Sequence, residues 1–191
     1  MRFRIQSASA LFVFAALTAA SLASLTPPAF ATNSGGPQVG PFTPAFMKDG
    51  ETKISVAGLH INANKYWSCV PFVKAVSTIH LSGDGWRWWD NAKGQYDRGN
   101  APKEGSVLVF KRKKGLKHGH VALVREVVDK RTVRLDHANW GTGSQKGKID
   151  LGVIAKDVSK KNDWSAVRVW YSPINDLGST AYPVYGFVYP R

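Results

Sequence analysis

The chain reads as an α+β domain, and three observations predict this. One segment after Ser68 carries its apolar residues at helical spacing, the chain beyond Pro102 breaks into short β-branched runs, and no internal repeat interrupts that order.

The helix is predicted from Cys69 to about His80. Val70, Phe72, Val73, Val76 and Ile79 recur at a spacing that makes one apolar stripe. Pro71 falls in the first turn, where its missing N–H does no harm, and Ser68 stands where an N-cap is wanted. From Ser82 to Gly99 glycines alternate with Trp86, Trp88 and Trp89, a composition that suits a structured loop or a short helix. These tryptophans are expected to serve as core or groove wall, because aromatic rings bury large areas wherever they fall. Strands follow at Ser106–Phe110, Val121–Val128, Thr132–His137 and Ala166–Tyr171, with a weaker one at Val184–Tyr189. The basic run Lys111–Lys117 lies between the first two and reads as a solvated hairpin tip.

The first 31 residues read as an export leader. Arg2 and Arg4 give a positive start, Ala10 to Leu25 is apolar, and Ala29-Phe30-Ala31 is a small-x-small cleavage site. Residues 32–50 form a Gly/Pro-rich arm without periodicity, and residues 51–191 form the domain. After the leader no segment is long and apolar enough to span a bilayer as a helix, so no stable membrane insertion is expected once it is removed. The chain carries 26 basic and 13 acidic residues, and the leader holds only two of the basic ones. The exported part therefore stays strongly basic and suits an anionic polymer. Nucleic acid, a membrane surface and the bacterial wall all qualify, and export makes nucleic acid the least natural of the three. A monomer in the periplasm or outside the cell is expected.

Cys69 is the single cysteine of this exported chain. Oxidising compartments use cysteines in pairs, so a lone thiol points to an intermolecular bridge, a buried small hydrophobe or a reactive group. At a helix N-terminus the unpaired N–H groups and the helix dipole favour thiolate, and the same donors suit an oxyanion. A base is then required. His120 opens the predicted strand at 121–128, directly after Gly119. On the next strand His137 and Asn139 are two residues apart and so share a face, while Asp136 points to the other. Cys69, His120 and a polar orienter from 137 and 139 make the nucleophile, base and orienter set of a thiol hydrolase. Asn64 and Tyr66, just before the thiol, are candidate oxyanion donors. The histidines and Cys69 have no compact zinc-ligand spacing, and neither metal nor other cofactor is expected.

Five segments in order carry a resemblance: Cys69-Val70-Pro71-Phe72-Val73, Gly85-Trp86-Arg87-Trp88-Trp89-Asp90-Asn91-Ala92, Pro102 to Phe110, Gly119-His120-Val121-Ala122, and Asp136-His137-Ala138-Asn139-Trp140. Together they resemble the CHAP domain, the cysteine- and histidine-dependent amidohydrolase/peptidase family, over roughly residues 60–190. They resemble in particular the exported single-domain members of Gram-negative bacteria. The resemblance implies a papain-like α+β fold, with the nucleophile's helix packed on a small antiparallel sheet, and cofactor-free cleavage of amide bonds in peptidoglycan. It assigns Cys69 as nucleophile, His120 as general base and acid, and His137 with Asn139 as the third element. Many members carry Glu where this chain has His137, which leaves the orienter open among His137, Asn139 and Asp136. Two functions remain at this stage: a secreted wall amidohydrolase or endopeptidase, and a wall-binding protein that keeps the groove without turnover.

Overall fold

Alternation along one short run sets the architecture. In Val107–Phe110 every residue is buried, with Val107 and Val109 in one hydrophobic cluster and Leu108 and Phe110 in another. A strand covered on both faces reads as continuous apolar sequence, because successive side chains point to opposite sides. One face is closed by a helix and the other by the sheet curling on itself.

The computed structural model describes residues 45–46, 52–56 and 58–191. The expected leader, and all of the expected arm except Ala45 and Phe46, lie outside them. In chain order the strands are β1 (Ala45–Phe46), β2 (Thr52–Val56) and β3 (Leu59–Asn62), which form a small antiparallel sheet. Helices α1 (Cys69–Val76) and α2 (Trp88–Asn91) follow, α2 after a 3-10 turn at Gly85–Arg87. Then come β4 (Arg98–Gly99), β5 (Val107–Phe110), β6 (His120–Asp129), β7 (Thr132–Ala138), β8 (Ile149–Asp157), β9 (Ala166–Tyr171), β10 (Asp176–Leu177) and β11 (Tyr182–Val188).

These eight strands form one sheet in the order β10-β9-β8-β7-β6-β5-β11-β4, and a further pairing of β9 with β11 closes six of them into an antiparallel barrel. Closure abolishes the free edges of those six strands. The barrel interior holds Leu108, Phe110, Ala122, Val124, Leu135, Val167 and Phe187. On its outer face Phe72, Val73 and Val76 of α1 pack with Val107, Val109, Val121 and Leu123. Burying one such side chain stabilises the domain by roughly 1.5–3 kcal/mol.

The expected fold class is corrected in two respects. The described residues are predominantly β, and in place of a small antiparallel sheet there is an eight-stranded one with six strands closed into a barrel. The reason lies largely in β8, which the sequence reading passed over. Its apolar run is interrupted by Gly152, whose φ of 63° inserts a bulge and hides the strand's alternation. Helix α1 also stops at Val76, short of His80, because Ser77 turns extended and its hydroxyl takes the N–H of Ile79. Ser68 occupies the N-cap position with extended backbone, yet its side chain makes no capping bond.

Candidate active site

The packing of α1 across the barrel brings its first residue to the start of β6. Cys69 is half-buried there, and the backbone N–H groups of Val121, Val70 and Cys69 itself act on its sulfur. Val121 is the neighbour of His120, so the register of one strand delivers both an imidazole to the cleft and a donor for the thiol. Because Pro71 has no N–H, Cys69 and Val70 are the main free donors of the first turn.

His120 shares the inward parity of Ala122 and Val124 and is 2% exposed. Its Nε2 lies 3.0 Å from Nδ1 of His137, which reaches it from β7 and is fully buried. Phe110 stands edge-on to His120, and Trp140 lies 4.9 Å from His120 and 5.4 Å from His137, nearly parallel to the latter. Within this aromatic box burial holds the His120 imidazole well below the ordinary histidine range, with His137 pushing the same way, and burial alone takes His137 down to about 3. Both rings are therefore neutral at neutral pH, and one nitrogen of the close pair donates while the other accepts.

Gly119 is what lets β6 begin here. Its φ is +61°, and a Cβ would come within 2.8 Å of the backbone of both Trp86 and Phe110. Any other residue would push the Trp86 loop off the strand start and move His120 with it.

The thiol departs from the expected thiolate. Burial pushes the Cys69 thiol up from its ordinary value, outweighing the backbone N–H groups of Val121, Val70 and Cys69, which act in the opposite direction. An eight-residue helix supplies few free donors, and most of the thiol's water has been replaced by apolar walls. The resting site is a neutral thiol beside a neutral imidazole pair.

Cys69, His120 and Asn139 line one cleft of about 650 Å³, together with Asp84, Lys117, His118, Trp140 and Lys146. At its rim His118 Nδ1 meets the Asp84 carboxylate at 3.1 Å, and that contact holds the Asp84 carboxyl below its ordinary range.

Asn139, Tyr66 and Asn64 sit otherwise than the sequence reading had them, while Asp136 faces as alternation along β7 predicts. Asn139 lies beyond β7 with φ +63°, so it leaves the strand's alternation; its Oδ1 accepts from Gly147 N–H at 2.9 Å and lies 3.4 Å from Tyr66 Oη. It staples the loop that follows the strand and has no hydrogen bond to either imidazole. Tyr66 is thereby engaged with that loop, and neither it nor Asn64 lines the cleft. Asp136 points away from the imidazoles, bonded to Arg125 Nε at 2.7 Å and to Gly152 N–H at 2.8 Å.

Two contributors escaped sequence reasoning. Trp140 entered the sequence reading as the end of the segment Asp136 to Trp140, with no place beside the imidazoles, although its ring stacks on His137 and meets His120 at 4.9 Å. Asp150, on the unrecognised strand β8, lies opposite His137, with its Oδ2 3.9 Å from His137 Nε2. The alternation of Ile149, Leu151 and Val153 was the available signal, and Gly152 broke it.

Residues 61–139 match the CHAP domain. The CHAP match runs from Ile61 in β3 to Asn139 just past β7, so it includes Cys69, His120 and His137 and ends before Asp150. A search of curated proteins finds no match to this chain. Members of the CHAP family are typically peptidoglycan amidases and endopeptidases.

Proposed function

We propose that this protein is an exported peptidoglycan hydrolase that cleaves amide bonds through Cys69. The observation that carries this reading is the shared cleft of Cys69 and His120, with His137 locked 3.0 Å behind the base.

The neutral resting site favours general-base activation over a preformed ion pair. His120 uses Nε2 on His137, which leaves Nδ1 to take the thiol proton as sulfur attacks the amide carbonyl. Negative charge moves to the carbonyl oxygen, where the N–H groups of the α1 start are the nearest backbone donors. The imidazolium returns its proton to the amide nitrogen, the C–N bond breaks, and the amine leaves. Water then loses a proton to His120, attacks the thioester, and frees the acid while the proton goes back to sulfur. Desolvation in the aromatic box keeps the resting His120 neutral, the state in which it can take a proton from the thiol and later from water.

The basic surface supports a wall polymer as partner. Lys117 and Lys146 stand on the cleft itself, placed to meet carboxylates of the substrate.

Zymography on purified wall sacculi, with Cys69→Ala alongside, tests the proposal. Clearing by the unaltered protein and none by Cys69→Ala is expected. Sacculus binding without clearing would replace it with the wall-binding reading.

A further inference from the structure

His137 carries the one orphan of the site. Its ring is fully buried, its Nδ1 faces His120, and its Nε2 has no hydrogen-bond partner among the described residues. A buried polar atom left without a partner forfeits its hydration with nothing in return, so one aimed at a carboxylate calls for explanation. The atom nearest in kind is Oδ2 of Asp150, 3.9 Å away.

Asp150 owes its position to the bulge. Along β7 and β8 the pairing runs Leu135 with Val153 and then His137 with Asp150, so two steps on one strand match three on the other. Without the extra residue His137 would face Leu151 and no carboxylate. Gly152 supplies the bulge at φ +63°, and its N–H is held by the Asp136 carboxylate at 2.8 Å. Bulges of this kind re-aim side chains beside functional sites. Asp136, which points away from the imidazoles, thereby holds the bulge that sets Asp150 opposite His137.

We propose that Asp150 is a positioning residue that accepts the Nε2–H of neutral His137 and so sets the proton arrangement of the whole His137–His120 pair. This deepens the proposed hydrolase reading and rests on it only for its kinetic arm. With the proton on His137 Nε2, His137 Nδ1 must be an acceptor. His120 Nε2–H then donates to it, and His120 Nδ1 is left unprotonated, the state required to take the thiol proton. With the opposite tautomer of His137, His120 Nε2 becomes the acceptor and its Nδ1 carries hydrogen, which blocks the base. One carboxylate two residues removed from the thiol thus decides whether the base is free. The 3.9 Å gap exceeds a hydrogen bond, and catalytic hydrogen bonds commonly tighten when substrate closes the site.

The test combines a spectroscopic readout with a mutant cycle. Nitrogen NMR of ¹⁵N-histidine-labelled protein should show neutral His137 protonated at Nε2. Asp150→Asn can present its amide N–H to that nitrogen and should shift His137 towards the Nδ1–H form. The same variant should lower kcat on sacculus fragments roughly 10- to 100-fold, a share of what positioned acid–base chemistry supplies, with KM within about twofold. In a His137→Glu background, where a carboxylate would meet His120 directly, Asp150→Asn should cause no further loss. An Nδ1–H tautomer in the unaltered protein, wild-type kcat in folded Asp150→Asn, or a full additional loss in the His137→Glu background would each overturn the proposal. The tautomer measurement needs no substrate. If the unaltered protein cleaves nothing, the hydrolase reading fails while the NMR result still decides the role of Asp150.

Discussion

His120 and His137 meet nitrogen to nitrogen at 3.0 Å inside the barrel wall, where His137 is fully buried and His120 shows only a small edge to the cleft. A second imidazole in that position can hold the first in place without bringing a charge, because burial keeps it unprotonated. The arrangement differs from a carboxylate orienter in one physical respect: a histidine can donate or accept, so its tautomer must itself be specified. Four expectations follow from this site and its surroundings.

Thiol reactivity should reflect burial rather than the helix dipole. At pH 7 iodoacetamide should alkylate folded Cys69 more slowly than a cysteine in a short peptide, with the rate still climbing above the ordinary thiol value as pH rises. Hydrolysis should be lost in step with the label. A rate at pH 7 above that of the peptide would mean that a thiolate is already present at rest.

Acid should destabilise the domain over a defined window. The folded-state values of His120 and His137 lie below the unfolded value of about 6.5, so the unfolded chain binds more protons and stability falls as pH drops. For His137 the loss begins near pH 6.5 and continues to about 3, at up to about 1.4 kcal/mol for each pH unit. Thermal melts at stepped pH should show this slope, and His137→Gln should flatten it. An equal slope in both proteins would assign acid sensitivity to other groups.

Asn139 should prove to be a loop residue. Asn139→Ala removes the acceptor for Gly147 N–H and places alanine at φ +63°, which should cost about 1–3 kcal/mol of stability. Asn139→Gly keeps the backbone conformation and should recover part of that loss. Turnover should follow stability in both variants. A fully stable Asn139→Ala with abolished turnover would return this side chain to the chemistry.

Charge on the cleft should govern affinity for the wall. Lys117→Gln with Lys146→Gln should weaken sacculus binding chiefly at low ionic strength, where exposed charges are least screened. Lys113 is less suitable for this role, since its ammonium covers the Tyr182 ring at 4.8 Å and donates to Ala181 O at 3.3 Å. Its neutralisation should loosen the hairpin instead. Pelleting assays at two salt concentrations separate these effects, and a loss equal at both salts for the Lys117 and Lys146 pair would refute a charge-based role.

Much of this was already present in local sequence. The apolar stripe of α1, the β-branched runs of β5, β6, β7 and β9, and the lone Cys69 are properties of neighbouring residues, where periodicity and composition act directly. Alternation along β7 was also enough to set His137 and Asp136 on opposite faces. What local pattern does not carry is closure. Barrel formation depends on β9 meeting β11 across the fold, and the placement of Asp150 depends on a bulge that counts residues on two strands at once. The state of the thiol was decided in the same way. A helix start taken alone favours thiolate, and only the packing of α1 against β6 shows how much water the sulfur gives up. Desolvation is a sum over everything that surrounds an atom, so it belongs to the tertiary structure.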